Sequence, residues 1–218
     1  MEFTEFWTIL SANGIVLDLN QIEIFKRYHK ELLYWNEKIN LISRQDENNI
    51  LEKHFIHSLS ILKYVDISQK ARCLDIGTGG GFPGLPLKIA RTDIHILLSD
   101  SIKKKITTTE MLAKHTELRN INCICGRVED LCNNKNYLKH FDIIVSRAVA
   151  KISELIDWTL PLIKDNGKFI FLKGGDLTEE INQAKQKYNQ FNFVLEDINI
   201  LGCEAINMAE KKIIVATK

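Results

Sequence analysis

Residues 75 to 84 read Asp-Ile-Gly-Thr-Gly-Gly-Gly-Phe-Pro-Gly and hold five of the eleven glycines of a 218-residue chain. Glycines this dense lie where backbone must approach something that a Cβ would push away. Ala71-Arg72-Cys73-Leu74 precedes them as a strand-like stretch, and Leu85-Pro86-Leu87-Lys88-Ile89-Ala90 can open a helix. Strand, glycine turn and helix N-terminus together form a cradle for a nucleotide-like cofactor at the carboxyl end of a parallel sheet. Gly79-x-Gly81-x-x-Gly84 also satisfies the dinucleotide fingerprint, with Asp100 spaced to hold a ribose. A nicotinamide-dependent oxidoreductase is therefore one reading of the turn, and a tight turn without a ligand is another.

The remaining strand ends offer further chemistry, because ligands of open α/β sheets bind outside them. Asp100 follows Leu97-Leu98-Ser99, where a carboxylate can accept both hydroxyls of a ribose. Gly126-Arg127-Val128-Glu129-Asp130 makes a polar turn that can meet an adenine edge. Arg147 follows the apolar Ile143-Ile144-Val145 and places a fixed positive charge at the cleft mouth, while Lys173 brings a second cation before Gly174-Gly175. Lys103-Lys104-Lys105 is the densest basic run and, beside a cofactor cleft, can contact phosphate. His54-x-x-His57 has a helical spacing open to a metal, but no third ligand accompanies it, so no metal site is expected.

The elements that must hold these groups follow from periodicity. Phe25, Tyr28, Leu32, Trp35 and Ile39 recur at helical spacing behind a cap at Asp18 or Asn20. A second helical stretch runs from Glu47 to Tyr64, with 40–44 as an ordered loop. Strands are expected at 71–76, 94–99, 120–125, 141–146 and 167–173, with helical segments near 84–91, 101–116, 127–132 and 151–164. This alternation implies a parallel sheet covered on both faces. Phe191 to Leu201 and Lys212 to Thr217 read as a closing antiparallel pair joined by a ten-residue connection. The division expected is a helical extension over 1–65 and a cofactor-binding domain over 66–218, packed as one unit.

Hydrophobic residues make up 45% of the chain and charged residues 26%, as in a globular domain. No 18-residue apolar run exists, so no membrane span is expected, and the N-terminus lacks a secretory pattern. Five cysteines, an odd number with no C-x-x-C pair, point to buried free thiols in a reducing cytoplasm. Cys73, Cys123 and Cys125 fall in predicted strands and are expected in the core. The net charge is +1, but residues 71–151 hold 13 basic and 8 acidic side chains, so positive charge gathers around the cofactor segment.

The motif Asp75-x-Gly77-x-Gly79-x-Gly81 resembles the opening motif of S-adenosylmethionine-dependent methyltransferases. Nearly the whole chain is similar to the bacterial 16S ribosomal RNA guanine-N7 methyltransferases, also called glucose-inhibited division protein B. The likeness rests on Asn40-Leu41-Ile42-Ser43, His54-Phe55 with Ser58-Leu59, Leu74 through Gly84, and Asp100-Ser101 with Lys103-Lys104. It continues through Gly126-Arg127 with Glu129-Asp130, Ser146-Arg147-Ala148-Val149-Ala150, and Leu172-Lys173-Gly174. The resemblance implies a class I, Rossmann-like fold: a mostly parallel seven-stranded sheet with a closing antiparallel strand, plus N-terminal helices. It implies S-adenosylmethionine contacts at Gly77, Phe82, Val128, Glu129 and Arg147, joined by Asp75, Gly79 and Asp100 from the strand-end reading. The implied substrate is guanine 527 of 16S rRNA in the small ribosomal subunit, with a monomeric enzyme as the expectation. Lys103, Lys104, Arg127 and Lys173 are the RNA-binding candidates, and Arg147 and Lys173 the candidates for positioning the base. The family's helix motif usually reads His-Phe-Leu-Asp-Ser-Leu, and His57 stands here where that motif has aspartate. A non-catalytic ribosome-binding factor with the same fold remains an alternative.

Overall fold

A computed structural model describes residues 1–218. Seven strands form one sheet: β1 (Arg72–Ile76), β2 (His95–Asp100), β3 (Ile121–Cys125), β4 (Phe141–Arg147), β5 (Ile163–Gly174), β6 (Asn192–Asp197) and β7 (Lys211–Thr217), in the order β3-β2-β1-β4-β5-β7-β6. The first five run parallel. β7 alone is antiparallel and lies between β5 and β6. The expected closing pair is therefore present, but the last strand inserts inside the sheet and leaves β6 at the edge.

Side chains alternate along each strand, so the sheet feeds two cores. Cys73, Ile96, Leu98, Ile143, Val145, Ile170 and Leu172 point to one face and join a cluster of 41 buried residues. That cluster also contains Phe6, Phe25, Tyr28, Leu32 and Phe55 from the N-terminal helices. Leu74, Ile76, Leu97, Ile144, Phe169 and Phe171 point the other way, under the helices Ile152–Thr159 and Thr178–Lys187.

The N-terminal layer begins with α1 (Phe3–Ala12) and α2 (Leu19–Asn36). α2 opens on a reciprocal cap, in which Asp18 Oδ1 accepts from Gln21 N at 2.8 Å and Gln21 Oε1 accepts from Asp18 N at 2.8 Å. Asn36 ends it by accepting the backbone N–H groups of Leu41 and Ile42, which fixes the loop toward the glycine turn. The stretch expected as one helix from Glu47 is instead a 3₁₀ segment (Arg44–Asn49), a π-helical turn (Leu51–Ile56) and two short α turns ending at Tyr64. The wider π turn carries His54 and Phe55 inward, a device common at functional sites.

Several boundaries differ from the sequence expectations. β5 starts at Ile163 because that residue pairs with Phe141 before a register shift, which shortens the preceding helix to Ile152–Thr159. The segment expected as a helix at 127–132 is a 3₁₀ turn, Val128–Asn133. Thr178–Lys187 is a helix that the sequence reading did not separate out, since its mostly polar face buries only Ile181 and Ala184. Cys125, expected in the core, is exposed and Cys123 is half-buried, because β3 is the edge strand and is incompletely covered.

Phe55 is fully buried between Phe6, Phe25 and Tyr28, with Phe82 of the glycine turn 6.0 Å away centroid to centroid. Phe55→Ala removes the middle of this aromatic stack. The expected loss of stability is about 3–5 kcal/mol, read from the shift in urea midpoint.

Candidate functional site

The turn after β1 is wired from below by Asp75. This residue points to the face covered by the N-terminal helices and is fully buried. Its Oδ2 accepts from Thr78 Oγ1 at 2.7 Å and from Gly84 N at 2.9 Å, tying the start of the turn to the first residue of helix Gly84–Ala90. Its Oδ1 is buried without a partner. Burial pushes the Asp75 carboxyl up to about 7, against the opposing pull of Thr78, Gly84 and Arg147. Gly84 must be glycine for close packing: a Cβ there would lie 2.4 Å from Leu98 Cδ2 and 2.7 Å from Asp75 Oδ2.

From the neighbouring strand, Asp100 reaches across. Its Oδ2 accepts from Gly79 N at 3.0 Å and its Oδ1 from Ile102 N at 2.8 Å. Thr109 Oγ1 donates to the Gly79 carbonyl at 2.6 Å, and Tyr28 Oη donates to the Gly80 carbonyl at 2.6 Å. The turn is thus held from four sides, and Gly77 is left with φ +65° and bare backbone facing the end of β4. Val149 lies there, with Cγ2 2.5 Å from where a Gly77 Cβ would be. Val149 is exposed and follows Ala148 at φ +53°, so a ligand on the Gly77 backbone has to move this side chain aside.

Arg147 leaves the end of β4 half-buried. Its guanidinium carbon sits 4.7 Å from the centroid of the Phe82 ring, which itself stacks on Tyr28. Its Nη2 donates to His54 Nδ1 at 2.8 Å. Burial lowers the Arg147 pKa to about 10, which leaves it charged at neutral pH. Burial and the Arg147 charge lower His54 to about 3, so this imidazole is neutral. An arginine only donates, so Nδ1 is the accepting nitrogen and the ring proton is on Nε2.

The other expected site residues are placed as follows. Val128 is buried and Glu129 half-buried in the 3₁₀ turn after β3, on the far side of Asp100 from the glycines. Lys103 and Lys104 are exposed at the start of helix Lys103–His115, and Arg127 is exposed at the end of β3. Lys173 is engaged within the fold: its Nζ donates to the Ala150 carbonyl at 2.7 Å and pairs with Glu180 at 2.7 Å. It braces the segment that carries Val149. Asp46, Lys53 and Lys211, which no motif marked, join His54, His57, Arg147 and Lys173 around a cavity at the ends of β4 and β5. The pair His54 and His57 was visible in the sequence only as a helical spacing, with nothing to mark Asp46, Lys53 or Lys211 as its neighbours.

This sheet order, with one antiparallel strand and a glycine turn after β1, defines the class I methyltransferase fold. TrmN from Thermus thermophilus superposes with a TM-score of 0.58 at 15% identity, over 77% of this chain and 53% of that one. The family model of the rRNA small subunit methyltransferase G family matches residues 21–208. The protein named ribosomal RNA small subunit methyltransferase G of Bacillus subtilis is 38% identical over 91% of this chain and 83% of its own length. Its namesake from a Thermoanaerobacter species is 38% identical over 85% and 77%. The chain belongs to this family.

Asp75 gives the site a pH signature. Its folded pKa lies above the unfolded value of 3.8, so the folded state holds the proton more tightly. Its contribution to stability therefore falls as pH rises from about 4 to about 7 and is level above that. In Asp75→Asn this slope is expected to vanish. Urea denaturation of both proteins at pH 5 and pH 8 reads the change.

Proposed function

We propose that the chain transfers a methyl group from S-adenosylmethionine to N7 of guanine 527 in 16S rRNA, acting on the small ribosomal subunit. The observation that carries this reading is Arg147, which stands on Phe82 of the glycine turn and also lines the cavity at the ends of β4 and β5. It thus joins a cofactor cradle to a second chamber. Family membership supplies the class of substrate.

The residues present fit the cofactor. Gly77 and Gly79 offer bare backbone, and the unpartnered Asp75 Oδ1 offers a buried acceptor near a cationic methionine end. Each Asp100 oxygen serves one backbone N–H, which leaves lone pairs for ribose hydroxyls. Val128 and Glu129 are positioned to flank the adenine, with Phe82 beneath Arg147. When bound, S-adenosylmethionine supplies a methyl group activated by its sulfonium.

Guanine N7 carries a lone pair and no proton, so the protein needs no general base. Its work is to hold the nucleophile in line, and positioning of this kind supplies about 7–11 kcal/mol in favourable cases. Arg147 orients the base through donors to O6 or a nearby phosphate. Lys103, Lys104 and Arg127 meet the RNA backbone, and Lys173 acts on the base indirectly, by holding the 148–150 segment.

The deciding experiment is methyl transfer from labelled S-adenosylmethionine to small subunits lacking the modification, with the methylated nucleotide mapped. Label at guanine N7 supports the reading, and no label, or label elsewhere, refutes it. Thermal shift with S-adenosylhomocysteine but not NADH is the expected ligand response. Arg147→Lys keeps the charge but loses the planar fork, and kcat/KM is expected to fall about tenfold or more. Lys103→Ala, Lys104→Ala and Arg127→Ala are each expected to weaken RNA binding and to reduce its log–log salt slope by about one, measured by filter binding.

A further inference from the structure

The cavity beyond Arg147 has a volume of about 440 Å³, in the range that small ligands fill. Leu172, Ala205, Ile206 and Ala209 give it an apolar wall. Its polar groups are of both kinds. Arg147 and Lys211 bring donors, while Asp46 brings a carboxylate whose Oδ1 already takes Lys53 Nζ at 2.6 Å. His54 and His57 add two buried Nε2 atoms without hydrogen-bond partners.

The two imidazoles are held differently. His54 Nε2 carries the ring proton, as its Nδ1 accepts from Arg147, and it lies 3.5 Å from Asp46 Oδ2. His57 is kept neutral by burial and by the charges of Arg147 and Lys211, so one of its two ring nitrogens carries a lone pair. Its Nε2 has no hydrogen-bond partner within the fold. The cations outnumber Asp46, but Lys53 is paired with it and Lys173 with Glu180, and the apolar wall offers nothing to a phosphate. A flat heteroaromatic ring with a donor edge is well served. Guanine offers N1–H and N2–H₂ side by side on one edge and the acceptors O6 and N7 on another, whereas adenine has an acceptor at N1 and no amino group at C2.

We propose that this cavity receives the acceptor guanine, with His57 and Asp46 accepting from its N1–H and N2–H₂ edge and Arg147 donating to O6. N7, adjacent to O6, then turns toward the glycine turn. His57 is on this account a specificity-determining residue. The assignment rests on the guanine-N7 reading above and adds the residues that select the base.

The test uses the full chain saturated with S-adenosylhomocysteine, so that added nucleotides report on the cavity alone. Guanosine, inosine and adenosine 5′-monophosphates carry the same phosphate and are titrated by equilibrium dialysis. The guanine nucleotide is expected to bind about tenfold more tightly than the other two. In His57→Leu that preference is expected to shrink severalfold, Asp46 and Arg147 keeping the remainder, while S-adenosylhomocysteine affinity stays unchanged. In His57→Asn, whose amide oxygen can accept, most of the preference is expected to remain. Equal affinity for the three nucleotides in the wild-type protein overturns the proposal without any variant, as does an undiminished preference in His57→Leu. Failure of the functional reading is seen separately, as no S-adenosylhomocysteine binding or as label away from guanine N7, and it removes this proposal as well.

Discussion

One buried carboxylate organises this molecule's working end. Asp75 Oδ2 holds Thr78 and Gly84 together across the tightest turn of the chain, at 2.7 and 2.9 Å. The arrangement is costly in itself, since burial disfavours the charged form and lifts the carboxyl to about 7. What it secures is a turn whose backbone faces outward while its own polar groups are satisfied. Asp100, Thr109 and Tyr28 complete the frame from β2, helix Lys103–His115 and α2. A turn built this way has few free motions left to lose when a ligand meets it.

That frame explains why the N-terminal helices belong to the site and are more than a cover. Tyr28 bonds the Gly80 carbonyl and stacks on Phe82, Phe55 supports both, and His54 takes the hydrogen bond of Arg147. A charged guanidinium is thereby held over an aromatic ring with a neutral imidazole as its partner. No carboxylate quenches it. Its charge remains available toward the cavity, where a purine's electron-rich edge is proposed to lie. The same logic accounts for Lys173, whose charge is neutralised by Glu180 and which serves the 148–150 segment instead.

Val149 is the element most in tension with a ready cradle. Its methyl fills the space over Gly77, and the preceding Ala148 has a left-handed conformation that is strained for any residue with a Cβ. Ala148 of the same segment lines the cavity, so this short stretch borders both the glycine turn and the cavity.

Read alone, the amino-acid order determined the class of fold and the place of the glycine turn after the first strand. Hydrophobic period and glycine spacing are local properties, and the sheet they imply has few alternatives. Asp100 and Arg147 could be placed in advance because each ends a strand, and Asp75 and Gly77 because they flank the end of another. The same order was weaker where burial depends on distant partners. It placed Cys125 in the core, since nothing in Ile121–Cys125 reveals that β3 is an edge. It left β7's insertion between β5 and β6 undetermined, because pairing of the last strand is a choice among edges. It offered Lys173 as a free cation, although Glu180, on a different element, engages it. The cavity was invisible altogether: Asp46, His57, Arg147, Lys211 and the wall around Ile206 come from segments up to 165 positions apart. Only the folded chain brings their donors and acceptors together, because each is contributed by a different segment.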